Sequence, residues 1–424
     1  MKVYEEFFSQ FDYDVRKSGD ARWIDQKCTY DVISMIADCI NEYVEDNNSK
    51  EFTVSDIWHS KYARENVVAI FSKPDPELKA SNEYDKYFGQ PIKLLGYSHV
   101  LNVRKENNRY YYSVNDQQIL DQIALRPMNS LNFLYEYIRK VLSDSGLMKS
   151  FEDFFKIQTK DSYKKVRDDF ISFTICNTRI NCETECRRIF TKVINPLAFK
   201  RQKLGTEKGR ISKVSITLND LQYNRFNWRD ESSGKNKSVM RSEHEPVAAQ
   251  QQARALETYA VNKAKKDVRK FNDRFNNGQS EIFQNIEQVK ATQAHHIFAQ
   301  SDHPEIAGFV ENLIMLTPNQ HFSMAHPSNN TQYIDKDFQY VCLIAKLVRI
   351  HDDLISDKTD KFYNFDNYKY VLNSGLGTNE FSSIEDLDFA SILNKIDYFY
   401  RDELLNNKYG DLIKNNYLTS CNKK

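Results

Sequence analysis

From Thr29 onward the apolar residues Val32, Met35, Ile36, Cys39, Ile40 and Tyr43 recur every three or four positions. That is the spacing of one helix face, and Thr29 stands where an N-cap belongs. The run Phe52-Thr53-Val54-Ser55-Asp56-Ile57-Trp58 opens a second helix, capped by Thr53 or Ser55 and reaching about residue 71. Lys73-Pro74-Asp75-Pro76 ends it. A third helix is expected over 82–97, interrupted at Gly89-Gln90-Pro91. Residues 100–104 and 109–114 then flank the polar Lys105-Glu106-Asn107-Asn108, which predicts a β-hairpin.

Helices followed by a hairpin give residues 1–125 the order of a winged helix. In such folds the last helix enters the major groove and the hairpin touches the backbone. Lys93, Ser98, His99, Arg104, Lys105, Asn107, Asn108 and Arg109 are the polar side chains this order exposes. The same order also serves as a protein-interaction module, so DNA contact stays open at this point.

Residues 126–195 read as helical, with Leu131, Leu134, Tyr135, Ile138, Val141 and Leu142 as one apolar stripe. The stretch 200–241 loses that periodicity and predicts irregular structure with a short strand near Val214-Ser215-Ile216-Thr217-Leu218. Residues 246–275, rich in Ala, Gln, Lys and Arg, predict one long helix. A strand over 290–298, a loop and a strand over 312–316 follow. Thr317 then caps a helix starting at Pro318, with His321 in its first turn. Phe338, Val341, Cys342, Ala345, Val348 and Ile350 mark a further helix after Asp335. The acidic, aromatic C-terminal quarter is helical with a loop at 373–379, and it either buttresses the core or pairs with a second subunit. The fold class expected is α+β, mostly helical, divided as 1–125, 126–245, 246–345 and 346–424.

Net charge is zero, yet it is unevenly spread. Between Arg187 and Arg241 stand 14 Lys or Arg against 4 acids. A concentrated basic segment in a neutral chain reads as a phosphate-binding surface or as a solvated loop region. Lys200, Arg201, Lys203, Lys208, Arg210 and Lys213 are its candidate DNA contacts, joined by Lys93, Arg104, Lys105 and Arg109 from the N-terminal region. Tyr223, Phe226 and Trp228 lie among the cations and either stack on bases or anchor the loop to a core. With 40% apolar and 28% charged residues, wholesale disorder is excluded. No apolar run approaches the roughly 20 residues of a membrane span. The acidic start Met1-Lys2-Val3-Tyr4-Glu5-Glu6 is unlike a signal peptide, so a cytoplasmic protein is expected. Cys28, Cys39 and Cys342 sit among apolar residues as buried thiols. Cys176, Cys182 and Cys186 lack the paired spacing of a structural zinc site, and their role is open.

The candidate chemistry lies in Ala294-His295-His296-Ile297-Phe298-Ala299-Gln300-Ser301 and Glu311-Asn312-Leu313-Ile314-Met315-Leu316-Thr317-Pro318-Asn319-Gln320-His321. A strand, a loop, a strand and a helix fold back into one small unit, which gathers His295, His296 and His321. Phosphodiester hydrolysis needs a water deprotonated and charge stabilised on the phosphoryl and leaving oxygens. A histidine suits the first task and one divalent metal the others. His303, His326, Glu305 and Glu311 lie nearby; His326 is expected to cap the helix or touch phosphate rather than bind metal, and the acids to stand in an outer shell or in solvent.

This segment resembles the HNH (ββα-metal) nucleases, and among them those of bacterial restriction endonucleases. Their pattern is an acid or His followed by His, then Asn, then His or Asn nine residues on, matched here by His295-His296, Asn312 and His321. The resemblance covers about 30 residues. It implies His296 as the general base, His295 and His321 as metal ligands, and Asn312 as the residue that braces the loop and orients His296. His295 departs from the family, where many members carry Asp, so Mn2+, Ni2+ and Zn2+ join Mg2+ as candidates for one divalent metal per site. The family's four-cysteine zinc support is also missing. The function implied is a bacterial, sequence-specific endonuclease cutting double-stranded DNA. One such unit cuts one strand, so a homodimer on a palindromic site is expected. The alternatives are a nicking or structure-specific nuclease, and a DNA-binding protein with an inactive site.

Overall fold

In the computed structural model the chain forms two compact units, Met1–Pro246 and Val247–Lys424, where the sequence suggests four segments. The structure describes residues 2–71, 81–223, 241–284, 289–326, 334–358, 360–406 and 408–417. The protein is α+β and mostly helical, with three two-stranded antiparallel sheets among the described residues. None of its described helices is long and apolar enough to cross a membrane.

In the N-terminal unit, the first expected helix runs Tyr30–Asn47, and Thr29 holds the cap position without making the capping bond. Thr53 makes a capping box with Asp56. The helix it starts is not continuous to Phe71: Val54–His59 ends at an extended Ser60, and Lys61–Phe71 follows. The break at Lys73-Pro74-Asp75-Pro76 lies outside the described residues. The interruption expected at Gly89-Gln90-Pro91 does not occur, because Ser81–Tyr97 is one helix with Pro91 inside it. Pro91 sacrifices one backbone bond at a cost of about 3 kcal/mol. Tyr84, Tyr87, Phe88, Ile92, Leu94 and Leu95 are fully buried along the same helix. Each such side chain contributes roughly 1.5–3 kcal/mol, so packing overrides the break.

The hairpin forms as expected from β1 (Leu101–Glu106) and β2 (Arg109–Val114). Asn107 and Asn108 both have positive φ, 46° and 63°, the two-residue turn whose twist suits a hairpin and which Asn tolerates. Phe52 exchanges both backbone bonds with Tyr112 and adds a third, one-residue rung. The middle of the unit is helical at Pro127–Asp144, Met148–Ile157, Lys160–Asn177 and Glu183–Arg201. The strand expected near Val214 is absent. β3 (Thr206–Glu207) and β4 (Arg210–Ile211) form instead, closed by Lys208 and Gly209 at positive φ.

The C-terminal unit starts on the helix Arg241–Asn276. β5 (Gln293–His296) and β6 (Leu313–Leu316) are shorter than the strands the sequence suggests, and residues 310–312 form a 3-10 turn. Lys336–Ile355 is capped by Asp335. Phe365–Leu376 reaches past residue 373 and stops at left-handed Gly377, so the expected loop starts later. One apolar core joins β5 and β6 to these helices, through Ile314, Leu316, Val341, Ile344, Tyr368, Leu372 and Ile396. The C-terminal helices therefore buttress the strands.

A buried ion pair fixes the outer edge of β6. Glu281 donates its N–H to the Met315 carbonyl at 3.0 Å and accepts the Met315 N–H on Oε1 at 2.8 Å. Its other oxygen accepts from Lys346 Nζ at 2.6 Å, and Lys346 also donates to the Tyr363 hydroxyl at 2.9 Å. Both side chains are buried, 0% and 2% exposed. Lys346→Ala leaves the Glu281 carboxylate buried and unpaired, with an expected loss of about 3–5 kcal/mol. The double variant Glu281→Gln, Lys346→Met should recover most of that, as read by urea denaturation of the two proteins.

Candidate metal centre

The centre is built on two short strands and the helical turn after them. β5 and β6 are antiparallel, with His295 opposite Ile314 and His296 opposite Leu313. Successive strand side chains point to opposite faces, so His295 and His296 diverge. Thr317 and Gln320 then exchange bonds: Thr317 N–H donates to Gln320 Oε1 at 3.0 Å, and Gln320 N–H donates to Thr317 Oγ1 at 3.2 Å. This reciprocal cap turns the chain out of β6 into the turn that carries His321.

That turn is a π-helix, Gln320–Ala325, and it closes with the His326 N–H on the His321 carbonyl at 3.2 Å. Residues five apart in an α-helix lie about 140° apart around the axis. The i→i+5 bond of a π turn stacks them instead. His326 therefore joins His321 beside His295. The three ring centroids lie 5.2, 5.0 and 4.9 Å from one another. One nitrogen from each ring falls within 4.8 Å of the others, and this is the one group of potential metal ligands among the described residues. Sequence reasoning paired His295 with His321 and set His326 aside; the wider turn is what brings it in.

Two ring nitrogens of this group, His295 Nε2 and His321 Nδ1, are buried without a hydrogen-bond partner among the described residues. Orphaned buried nitrogens cost about 1–3 kcal/mol each and call for an occupant. Burial also keeps the His295 and His321 rings neutral. His295 is pushed well below the usual histidine range by desolvation, then by His321, His326 and His296. His321 is lowered to about 4 by desolvation, then by His326 and Lys265. Neutral imidazoles with free lone pairs are the form that binds metal. The donor set is all nitrogen. It fits a borderline cation such as Zn2+, Ni2+ or Mn2+ better than Mg2+, which prefers oxygen.

His296 turns the other way. Its Nε2 lies 3.0 Å from the Ala307 carbonyl. A carbonyl only accepts, so Nε2 carries the proton and Nδ1 is the bare nitrogen. Desolvation lowers His296 to about 4, against the Ala307 bond and with a smaller push from Lys265. Asn312, fully buried, fixes the chain just past it. Its Oδ1 accepts the Phe298 N–H at 2.9 Å, and its Nδ2 donates to the Phe298 carbonyl at 3.1 Å and to the Ile306 carbonyl at 3.4 Å. Asn312 thus sets the loop that presents the Ala307 carbonyl, and holds His296 through it. Glu311 is buried and accepts the Asn364 N–H, while His303 lies 3.7 Å from the exposed Glu305; neither acid belongs to the triad.

The other candidate residues lie in the N-terminal unit. Lys93 is paired with Asp20, and Arg104 with Glu51 and Glu106. Lys105 lies over the Tyr110 ring, and Arg109 is exposed at the hairpin turn. Lys200 bonds Asn132, and Arg201 lies against Phe155. Lys203, Lys208, Arg210 and Lys213 are exposed around the small β3–β4 hairpin. Tyr223 is an anchor: its N–H bonds Asp31 and its ring packs on Phe71 and Tyr87. Phe226, Trp228, Arg225, Arg229, Lys235 and Lys237 lie outside the described residues. Cys176 and Cys182 are exposed and Cys186 is buried, and they form no metal-binding group among the described residues.

Comparison with protein-family models, with curated proteins and with solved structures finds no match to the chain. One test of the triad is a Co2+ titration followed by its visible absorption. One ion per chain is expected. His326→Ala should weaken binding by more than the about 10–100-fold typical of outer partners, whereas His303→Ala should leave it unchanged.

Proposed function

We propose that the C-terminal unit is a ββα-metal nuclease of the HNH type, and that the protein is an endonuclease hydrolysing phosphodiester bonds of double-stranded DNA. The observation that carries this reading is the pairing of a three-histidine pocket, two of whose ring nitrogens (His295 Nε2 and His321 Nδ1) are buried without a partner among the described residues, with His296. That histidine stands beside the pocket in sequence, outside its ligand set, and is held with Nδ1 free of any partner among the described residues.

His295, His321 and His326 would hold one divalent ion, with Zn2+, Ni2+ or Mn2+ ahead of Mg2+ on the chemistry of the donors. Once bound, such an ion polarises a phosphoryl oxygen and stabilises the leaving oxygen. His296 accepts the proton of the attacking water on Nδ1, and its Nε2–H bond to Ala307 stops the ring from rotating. Asn312 positions this bond from behind. The basic β3–β4 hairpin and the N-terminal region, whose helix-and-hairpin order is that of a winged helix, supply sequence-independent grip on the duplex. Because one unit cuts one strand, two copies acting across a palindromic site make the double-strand break of a restriction-type enzyme.

Unmethylated phage DNA incubated with Zn2+, Mn2+, Mg2+ or EDTA tests this reading. Discrete metal-dependent fragments are expected. His296→Ala should cut about 10²–10⁴-fold more slowly while binding one Co2+ as the native chain does. DNA binding without cleavage in every metal overturns the nuclease assignment.

A further inference from the structure

Every basic residue assigned above to DNA lies in the N-terminal unit, and His296 and the metal pocket have no assigned cation beside them. The helix Arg241–Asn276 supplies one. Val261, Ala264 and Val268 bury its inner face. Two contacts, on opposite flanks of that packed face, show which stretch of the helix meets the centre. Ala260 sits so close to Gly308 that a Cβ there would lie 2.9 Å away, directly beside the Ala307 carbonyl that holds His296. Further along, Arg269 Nη2 donates to the Thr292 carbonyl at 3.4 Å, at the entrance to β5. Lys265 lies between these two contacts along the helix axis, four residues before Arg269 and therefore on the flank that Arg269 occupies.

The ammonium of Lys265 acts on His296 and on His321 alike, lowering both. It is half-buried and has no acidic partner among the described residues. Burial alone depresses it, and no carboxylate opposes that shift. A cation left unneutralised next to a base and a metal pocket is costly unless an anion is expected there.

We propose that Lys265 binds the scissile phosphate, holding a phosphodiester anion between the His296 imidazole and the three-histidine pocket, with Arg269 next to it along the strand. This deepens the nuclease reading and rests on it for the word scissile; the phosphate contact itself stands on the placement of Lys265. A Lys carries three donors and a compact charge, suited to a non-bridging oxygen whose negative charge grows during attack.

The test uses the full chain and a short blunt DNA duplex, with anisotropy measured in EDTA from about 50 to 200 mM salt and cleavage measured separately with Mn2+. For Lys265→Gln, duplex binding should weaken at every sequence tried, and the slope of log affinity against log salt should fall by about 1. Cleavage should fall at least about tenfold, with Co2+ affinity unchanged and with partial rescue by Lys265→Arg. An unchanged salt slope overturns the phosphate contact, whether or not the native protein cuts. A reduced slope in a native protein that cuts nothing supports the phosphate contact and removes the nuclease reading. A variant that loses Co2+ binding together with cleavage, but keeps its salt slope, marks Lys265 as structural and also overturns the proposal.

Discussion

The Asn312 carboxamide is the constraint on which the centre depends. Where β5 stops pairing, this side chain takes over the ladder, accepting from and donating to Phe298 as a neighbouring strand would. A backbone partner could satisfy Phe298 only by extending β6, which would carry the chain past the loop that reaches Ile306 and Ala307. A side-chain amide satisfies the same groups and lets the chain leave. It is fully buried, so losing either bond leaves a polar group in a dry site. Gln339 supports the same point from the next helix, donating to the Ile297 carbonyl at 2.7 Å. The loop is therefore held from both sides, and the Ala307 carbonyl is held with it.

Around that brace, desolvation gives the histidines a common state and different jobs. His295, His296 and His321 are all lowered first by burial, so all are neutral near pH 7. What separates them is the hydrogen bond each makes or lacks. His296 spends Nε2 on Ala307 and keeps Nδ1, while His295 Nε2 and His321 Nδ1 are buried without partners among the described residues. One environment thus yields a cluster of three rings able to hold a metal and a fourth ring oriented by a carbonyl, without any acid among them. The Glu281–Lys346 pair contributes at a distance, by fixing Met315 of β6 opposite Ala294 of β5.

Much of this was legible in the sequence, for physical reasons that can be named. Period-2 and period-3.6 patterns report one-sided burial, so the helices at Tyr30–Asn47, Arg241–Asn276 and Lys336–Ile355 and the hairpin at Leu101–Val114 were readable. The Thr317-Pro318-Asn319-Gln320 cap placed the turn carrying His321. Pro91 misled, because a local penalty was weighed without the burial of its neighbours. Val214 misled too, since an alternating run needs a partner strand, and the backbone turns at Lys208 and Gly209 before one can form. His326 was hidden by the assumption of an α-helical turn. Lys265 carries no local signal at all, because its meaning comes from Gly308 and Thr292, residues 43 and 27 positions away in the chain.

The π turn itself argues for function over stability. Such turns are rare and occur mostly as single bulges, frequently at functional sites. What changes with the extra residue is the direction of His326, which swings from the flank of the helix to the ring of His295. The consequence is a pocket of three imidazole nitrogens. A divalent ion held by them would retain both of its charges, where carboxylate ligands would cancel one or both. That retained charge would attract an anion more strongly than a carboxylate-containing site can.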